Sequence, residues 1–297
     1  MVRQRVYGMI AGYEDCNDHD ALRNDAVFKM IADRLPDEPA LASQPTPSRF
    51  ENGVTPASLL RAIDLTVRLG VERLARKHGG RVPDVVTVDA DPTDDPTHGQ
   101  QQLTFFHGFY DQHQYFPMIV SEPTTKHIFV AWLRPGKVGA AVGVEDDLER
   151  VAAAMRESNP DARLHVRADA GVGGPALYAW CDAGGHAFSC GMGPNKKLNG
   201  WAEPLVRAAA ERYAKTGVKQ RLFAVRPYRA RSWKRDYRVV AKAECGAEGS
   251  NLRFMVTTAK ARTKKQAEAA YDFYVRRGES EQRNEELKNG IAGDRLS

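Results

Sequence analysis

The chain has 297 residues, 42% of them hydrophobic, and a net charge of +5. That length leaves room for one large domain or two smaller ones with an ample core, and the composition excludes a disordered or fibrous protein. The longest apolar run, Ile128 to Leu133, is too short to cross a bilayer; Met1 to Gly8 holds no apolar signal core; and Cys16, Cys181, Cys190 and Cys245 are scattered, against a zinc ribbon or disulfide scaffold.

In chain order, residues 1–35 read as helix and loop, and Pro39 to Pro47 as a Pro/Ser-rich turn region. Thr55-Pro56-Ala57-Ser58 opens an amphipathic helix to about Lys77, with Leu59, Ile63, Val67, Leu69 and Leu74 as its expected buried side. From Asp84 the period changes to that of strands. Val85 to Asp91 is expected to be a strand, as are Leu103 to Tyr110, Tyr115 to Ser121 and Lys126 to Leu133, with Asp111-Gln-His-Gln114 as a connection. Glu145 to Glu157 reads as a helix, Leu164 to Asp169 as a strand closed by Gly171-Val-Gly-Gly174, Leu177 to Cys181 as a short helix and His186 to Cys190 as a strand. Trp201 to Lys215 is a further helix, and strands are expected around Leu222, Tyr237 and Leu252. By pattern alone the chain is α/β or α+β.

Charge is unevenly spread. Residues 1–150 carry a net −6 and residues 151–297 a net +11, which points to a polyanionic partner for the second half. Within that half, Arg226 to Arg238 interleaves six basic residues with three aromatics, a mix suited to phosphates and unpaired bases. Trp233, Lys234 and Arg235 are its candidate DNA contacts, with Trp233 or Tyr237 expected to hold a distorted or flipped base.

Strong helix formers run without proline from Lys264 to Lys288, and Asn289-Gly290 is a stop signal, which predicts one continuous helix. On it Tyr274, Arg277, Glu281 and Lys288 fall within an arc of roughly 60°. A phenol, a guanidinium, a carboxylate and an ammonium make a poor core stripe and a good surface for a phosphodiester and a divalent metal.

The spacing of these four residues resembles the signature around the last catalytic acid of DDE transposases from bacterial insertion sequences. Asp91-Pro-Thr93-Asp-Asp-Pro-Thr-His98-Gly99 resembles the first acid block of that group, and Arg167-Ala-Asp169-Ala-Gly171 the second. Gly12-Tyr-Glu-Asp15, Ser121 to Lys126, Ser232 to Arg235 and Asn251 to Phe254 extend the likeness over nearly the whole chain. The resemblance implies an α/β fold with a ribonuclease H-like core, a helical amino-terminal part and a strand-rich insertion. Its expected bounds are 1–83 for the helical region, 84–174 for the first part of the core, 175–260 for the insertion and 261–297 for the helix with the third acid.

It implies Asp91, Asp169 and Glu281 as catalytic and metal-binding acids, with Asp89 the competitor of Asp91, and Tyr274, Arg277 and Lys288 as DNA contacts. It further implies Mg2+, with Mn2+ as a substitute, double-stranded DNA with terminal inverted repeats and a target site as partner, a homodimer assembled on that DNA, and a bacterial cytoplasmic, nucleoid-associated location without membrane. Two alternatives stand beside it: a ribonuclease H-like nuclease without strand transfer, and a truncated, inactive DNA-binding remnant, since members of the group carry more sequence before Tyr7 and beyond Ser297.

Overall fold

The computed structural model describes residues 1–13, 15–97 and 101–291. Glu14, the His98-Gly99 end of the first acid block, and Arg295 to Ser297 lie outside the described residues. The chain divides into two units, one of residues 1–64 and 281–297, the other of residues 65–280.

The first unit is helical. It holds α1 (Val2–Ile10), α2 (His19–Leu22), α3 (Ala26–Ile31), α4 (Pro45–Asn52) and the first turns of α5 (Pro56–Lys77). Caps set these boundaries. The Asp25 carboxylate accepts from the Phe28 N–H at 2.7 Å, and Thr55 and Ser58 exchange bonds, the Thr55 N–H donating to Ser58 Oγ at 2.8 Å. Between the helices, the buried Gln4 amide both donates to the Ala42 carbonyl and accepts from its N–H. The buried face of α5 runs through Ile63, Val67, Val71 and Leu74, spacings of four, four and three. Leu59 and Leu69, expected on that face, are exposed because Leu69 turns to the far side of the helical wheel and Leu59 lies at its first turn.

The second unit is built on an eight-stranded sheet. Its first strands are β1 (Val85–Pro92), β5 (Met118–Glu122) and β6 (His127–Trp132), and between β1 and β5 the short β2 (Asp95–Pro96), β3 (Phe105–His107) and β4 (Gln112–Tyr115) make a separate three-stranded sheet. The segment 111–114, expected as a mere connection, is thus largely strand. A tighter turn precedes it: the N–H groups of Tyr110 and Asp111 both donate to the His107 carbonyl, and Asp111 takes a left-handed φ of 54°.

After β6 come α6 (Val144–Ser158), β7 (Arg163–Ala168), α7 (Pro175–Gly184) and β8 (Ala187–Met192). β5 pairs antiparallel with β1 and β6 with β5, whereas β7 runs parallel to β1 and β8 parallel to β7. A three-strand meander followed by two helix-connected parallel strands is the ribonuclease H-like order. Val88, Ala90, Leu164, Val166 and Phe188 are all fully buried, as expected of parallel strands covered on both faces. On one side α5 comes so close that a Cβ on Gly70 would collide with the rings of His127 and Phe129.

Four elements follow before the closing helices: α8 (Lys196–Thr216), β9 (Gln220–Tyr228), β10 (Tyr237–Gly246) and β11 (Gly249–Thr257). The strand-rich region expected at 175–260 joins the core sheet rather than standing apart. β8 pairs with β7, β11 pairs antiparallel with β8, and β10 and β9 complete the order β6-β5-β1-β7-β8-β11-β10-β9. An uncovered β8 edge would present a row of unpaired backbone groups, and the added strands satisfy them. Alternation along β10 then places two helices: Ala243 and Cys245 face α8, and Val240 on the other side faces α9 (Lys264–Val275). Among the described residues no helix is long and apolar enough to cross a membrane.

Candidate active site

The expected single helix from Lys264 to Lys288 is two helices. α9 ends at Val275, and α10 (Gly278–Ile291) begins after a tight turn at Arg276-Arg277. The Arg277 N–H donates to the Tyr274 carbonyl, the Glu279 N–H to Arg276 and the Ser280 N–H to Arg277, a run of three-residue spacings that tightens the chain. Tyr274, Arg277, Glu281 and Lys288 therefore do not share one continuous helical stripe. The sequence hides this break because Arg276 and Arg277 are good helix formers; what opposes a continuous helix is tertiary bonding.

That bonding centres on Asp91. Arg277 Nη1 donates to Asp91 Oδ2 at 3.0 Å, and Ser280 Oγ donates to the same oxygen at 3.1 Å. Asp91 is buried and sits near the carboxyl end of β1. The Tyr274 phenol also hydrogen-bonds to Arg277, and burial pushes its pKa up while Arg277 pulls it down. Its ring packs on the core under α9, against Tyr271, so it is a structural neighbour of the acids and not an open stacking platform.

Register brings the second acid beside the first. Asp89 pairs with Arg167 and Ala90 with Ala168 on the neighbouring parallel strand, so Asp91 on β1 and Asp169, the first residue after β7, are the next positions up, following strands about 4.8 Å apart. Two residues back, Arg167 forks onto Asp89, with Nε at 2.7 Å from Oδ1 and Nη2 at 2.9 Å from Oδ2, both residues buried. A third donor of Arg167, Nη1, reaches the Phe273 carbonyl at 2.9 Å near the end of α9. Asp89 is thus committed to a buried ion pair with Arg167, while Asp91 pairs with the less buried Arg277.

Asp169 is held by its own turn. Its Oδ1 accepts from the N–H groups of Gly171 and Val172, both at 2.9 Å. Two glycines make the surroundings possible. A Cβ on Gly173 would lie 2.7 Å from the Cβ of Cys190, and one on Gly191 would lie 2.7 Å from the Tyr274 hydroxyl and 2.9 Å from the Ala170 nitrogen.

Three contributors went unseen in the sequence. Ser280 was one of several small polar residues on a charged helix. Arg167 stood inside the second acid block, two residues before Asp169. Tyr110 had no signal: it lies in the turn between β3 and β4, its phenol pushed up in pKa first by burial and then by the negative charges of Asp94, Asp91 and Asp169.

The aromatic reading of the 226–238 segment changes. Trp233 is only 7% exposed and meets Tyr178, Tyr228 and Tyr237 edge-on, so it offers no free face to a flipped base. Tyr237 is also buried, its hydroxyl donating to Asp182 Oδ2 at 2.7 Å. Arg235 forks onto the same carboxylate, which holds Asp182 below the usual carboxylate range. Lys234 is exposed. Glu281 and Lys288 lie farther along α10 in the first unit, Glu281 exposed and Lys288 half-buried.

Over its whole length, residues 1–297, the chain matches the family described as transposase DDE domain group 1. It belongs to that family. No curated protein sequence matches the chain. Among solved structures, it is similar to a piggyBac transposase in a synaptic complex with hairpin DNA, at 8% identity and a TM-score of 0.41. The match takes in 69% of this chain and 41% of that one, so the chain spans less than half the length of that relative.

Among the described residues, no group of three or more His, Cys, Asp or Glu side chains gathers closely enough to hold a metal. The DDE domain does bring two carboxylates to adjacent positions, and their hard oxygens suit a small divalent cation. Asp169 keeps its Oδ2 outside the two turn bonds that fix Oδ1.

Proposed function

We propose that this chain is the catalytic domain of a DNA transposase, with Asp91, Asp169 and Glu281 as its three acids. The observation that carries the reading is the Asp91–Asp169 pair: each follows directly on the last paired residues of the parallel strands β1 and β7, Ala90 and Ala168, in a ribonuclease H-like sheet of a chain of the DDE family. The substrate is double-stranded DNA: the terminal inverted repeats of a mobile element and a target site. In the first reaction water attacks a phosphorus atom at the element end, the bond from phosphorus to the 3′-oxygen breaks, and a 3′-hydroxyl is freed with a 5′-phosphate on the other fragment. In the second that hydroxyl attacks a target phosphodiester, loses its proton, and joins the element end to the target while the target's own 3′-oxygen leaves.

Mg2+, or Mn2+ in its place, would be held by Asp91, Asp169 and Glu281, and supplies activation of the attacking oxygen and stabilisation of the leaving one. The chain's own groups position the acids. Arg277 and Ser280 orient Asp91, the 171–172 backbone orients Asp169, and the Arg167–Asp89 pair ties β1, β7 and the end of α9 into one frame. The working assembly is a homodimer on paired DNA ends in the bacterial cytoplasm, at the nucleoid. Lys234, Lys288 and Arg277, when released from Asp91, are the DNA contacts on this reading.

The test is cleavage and joining of DNA carrying the element's own ends, with Mg2+ or Mn2+, by the chain and by Glu281→Ala. Cleavage and joining lost in the variant support the transposase. Cleavage without joining identifies a nuclease, and binding without cleavage identifies an inactive remnant.

A further inference from the structure

A cavity of about 560 Å³ opens beside β9 and β10, away from the acids. Its lining includes Arg226, Arg235, Arg238 and Arg262, the hydroxyl residues Thr257 and Thr258, and a single acid, Asp236. The volume lies within the range of small-molecule sites, about 300–1,000 Å³. Four guanidiniums against one carboxylate define what it accepts.

The four arginines are not equivalent. Arg235 is spent on Asp182, and the Arg226 guanidinium lies over the Trp201 ring, 5.5 Å from its centroid. The side chains of Arg238 and Arg262 make no hydrogen bond or ion pair among the described residues. Two such guanidiniums facing one concave space repel each other unless an anion lies between them. Their fork geometry matches phosphate oxygens, and threonine hydroxyls are common phosphate donors.

Register measures the distance to the acids. Arg238 pairs with Thr257, Thr257 with Ser189 and Ser189 with Arg167, so Arg238 stands level with Arg167, two residues below Asp169. β10 is three strands from β7 in the sheet. Strand spacing and rise then separate Arg238 from Asp169 by roughly 16 Å. A ligand filling this cavity does not touch the acids, yet both positions lie within the span of one short DNA segment. The approach is basic as well: Arg229, Arg231 and Lys234 are exposed in the adjoining loop, and Lys260, Lys264 and Lys265 lie just before or at the start of α9.

We infer that this cavity is a second DNA-contact site, in which Arg238 and Arg262 grip backbone phosphate of the strand whose cut end lies at the acids. The inference rests on the transposase reading and gives it a fixed phosphate anchor. Arg262 enters from a segment with no aromatic residues, and only the fold brings it beside Arg238.

The test is metal-free binding of a fluorescein-labelled 20-base-pair duplex, followed by anisotropy over a series of salt concentrations. Each phosphate contact contributes about 0.9 to the slope of log affinity against log salt. The double variant Arg238→Gln, Arg262→Gln is expected to flatten the slope by nearly two, and Arg73→Gln, which removes an exposed charge on α5, to leave it unchanged. Circular dichroism melting checks that the double variant is folded, and Arg238→Lys with Arg262→Lys, which keeps both charges, is expected to restore the slope. A double variant with the wild-type slope overturns the inference. So does arginine-dependent binding of a free deoxynucleoside monophosphate with an unaltered DNA slope, which would assign the cavity to a mononucleotide. Because neither metal nor cleavage enters the measurement, a failed cleavage assay leaves this result standing, and the reverse holds too.

Discussion

Arg277 and Asp91 stand 186 residues apart in sequence and 3.0 Å apart in space, guanidinium to carboxylate. The arginine expected to grip a phosphate pairs here with the Asp91 carboxylate, and Ser280 shares the same oxygen. The turn between α9 and α10 is what aims both donors at Asp91. On the proposed function Arg277 is a positioning residue as well as a candidate DNA contact.

Replacing Arg277 by alanine removes one of the donors on a buried carboxylate and the partner of Tyr274. A cost of about 1–3 kcal/mol in stability is expected from the under-satisfied acid. A misplaced Asp91 should also lower cleavage about 100-fold. Arg277→Lys keeps the charge without the fork and should fall between. Denaturant melts and single-turnover cleavage check this; cleavage by Arg277→Ala at the wild-type rate would remove the residue from the site.

Asp89 and Asp91 should separate cleanly by mutation. Asp89→Ala strands the buried Arg167 guanidinium, with an expected loss of about 3–5 kcal/mol. Asp91→Asn keeps the shape and should change stability far less while abolishing metal-dependent cleavage. The reverse pattern, a stable Asp89→Ala without activity and an active Asp91→Asn, would exchange the two assignments.

Trp233 is expected to matter for folding. Its truncation to alanine empties the space among Tyr178, Tyr228 and Tyr237, at a cost of about 3–5 kcal/mol. Below the lowered melting temperature the variant should bind and cut DNA normally. A variant of unchanged stability that fails only on distorted or hairpin ends would reinstate the base-holding role.

Two glycines near the site make opposite predictions. Gly191→Ala drives a methyl into the Tyr274 hydroxyl and the Ala170 nitrogen, so the Asp169 turn must shift and cleavage should fall. At Gly278 a Cβ meets nothing within 4 Å, and at the start of α10 alanine should raise stability by up to about 1 kcal/mol. Lost cleavage in a stable Gly278→Ala would mean that DNA, not protein, passes close to that position.

Stability should be pH-dependent through buried groups of opposite sign, His186 and Asp147 among them. His186 Nδ1 accepts from the Leu164 N–H at 3.0 Å, and burial, with Arg156 next, lowers its pKa to about 4. Its contribution is present above the unfolded value of 6.5 and is lost as pH falls toward 4. Asp147 moves the other way: burial raises it to about 6, against a bond from Trp132 Nε1, so its ionisation costs stability as pH rises from about 4 through 6. The two partly cancel, each on the order of 3 kcal/mol. Asp147→Asn removes the opposing effect, and its melting temperature should fall more steeply than the wild type's between pH 6.5 and 4.

Much of the core was legible because strand alternation is local. β1, β7, β8 and the later strands were readable from runs such as Val85-Val86-Thr87-Val88, and the two Asp blocks stood at strand ends. Their meaning as acids came from motif resemblance, since the bland reading of each is a turn residue. The division into domains was less legible. Whether β8 to β11 form their own sheet or extend another depends on which backbone edges pair, and no residue pattern records that choice.

The sequence by itself determined most of the element types, the basic second half and the family likeness, because side-chain period, charge and motif spacing are written along the chain. Only the tertiary structure decided that the last helix breaks at Arg276-Arg277, that Asp89 is consumed by Arg167, that Trp233 is core, and that Arg238 and Arg262 face one cavity. Each of these turns on contacts between residues far apart in the chain, where the free energy of a buried ion pair or a packed ring outweighs the local preference of a few tenths of a kcal/mol per residue, roughly, that sequence patterns report.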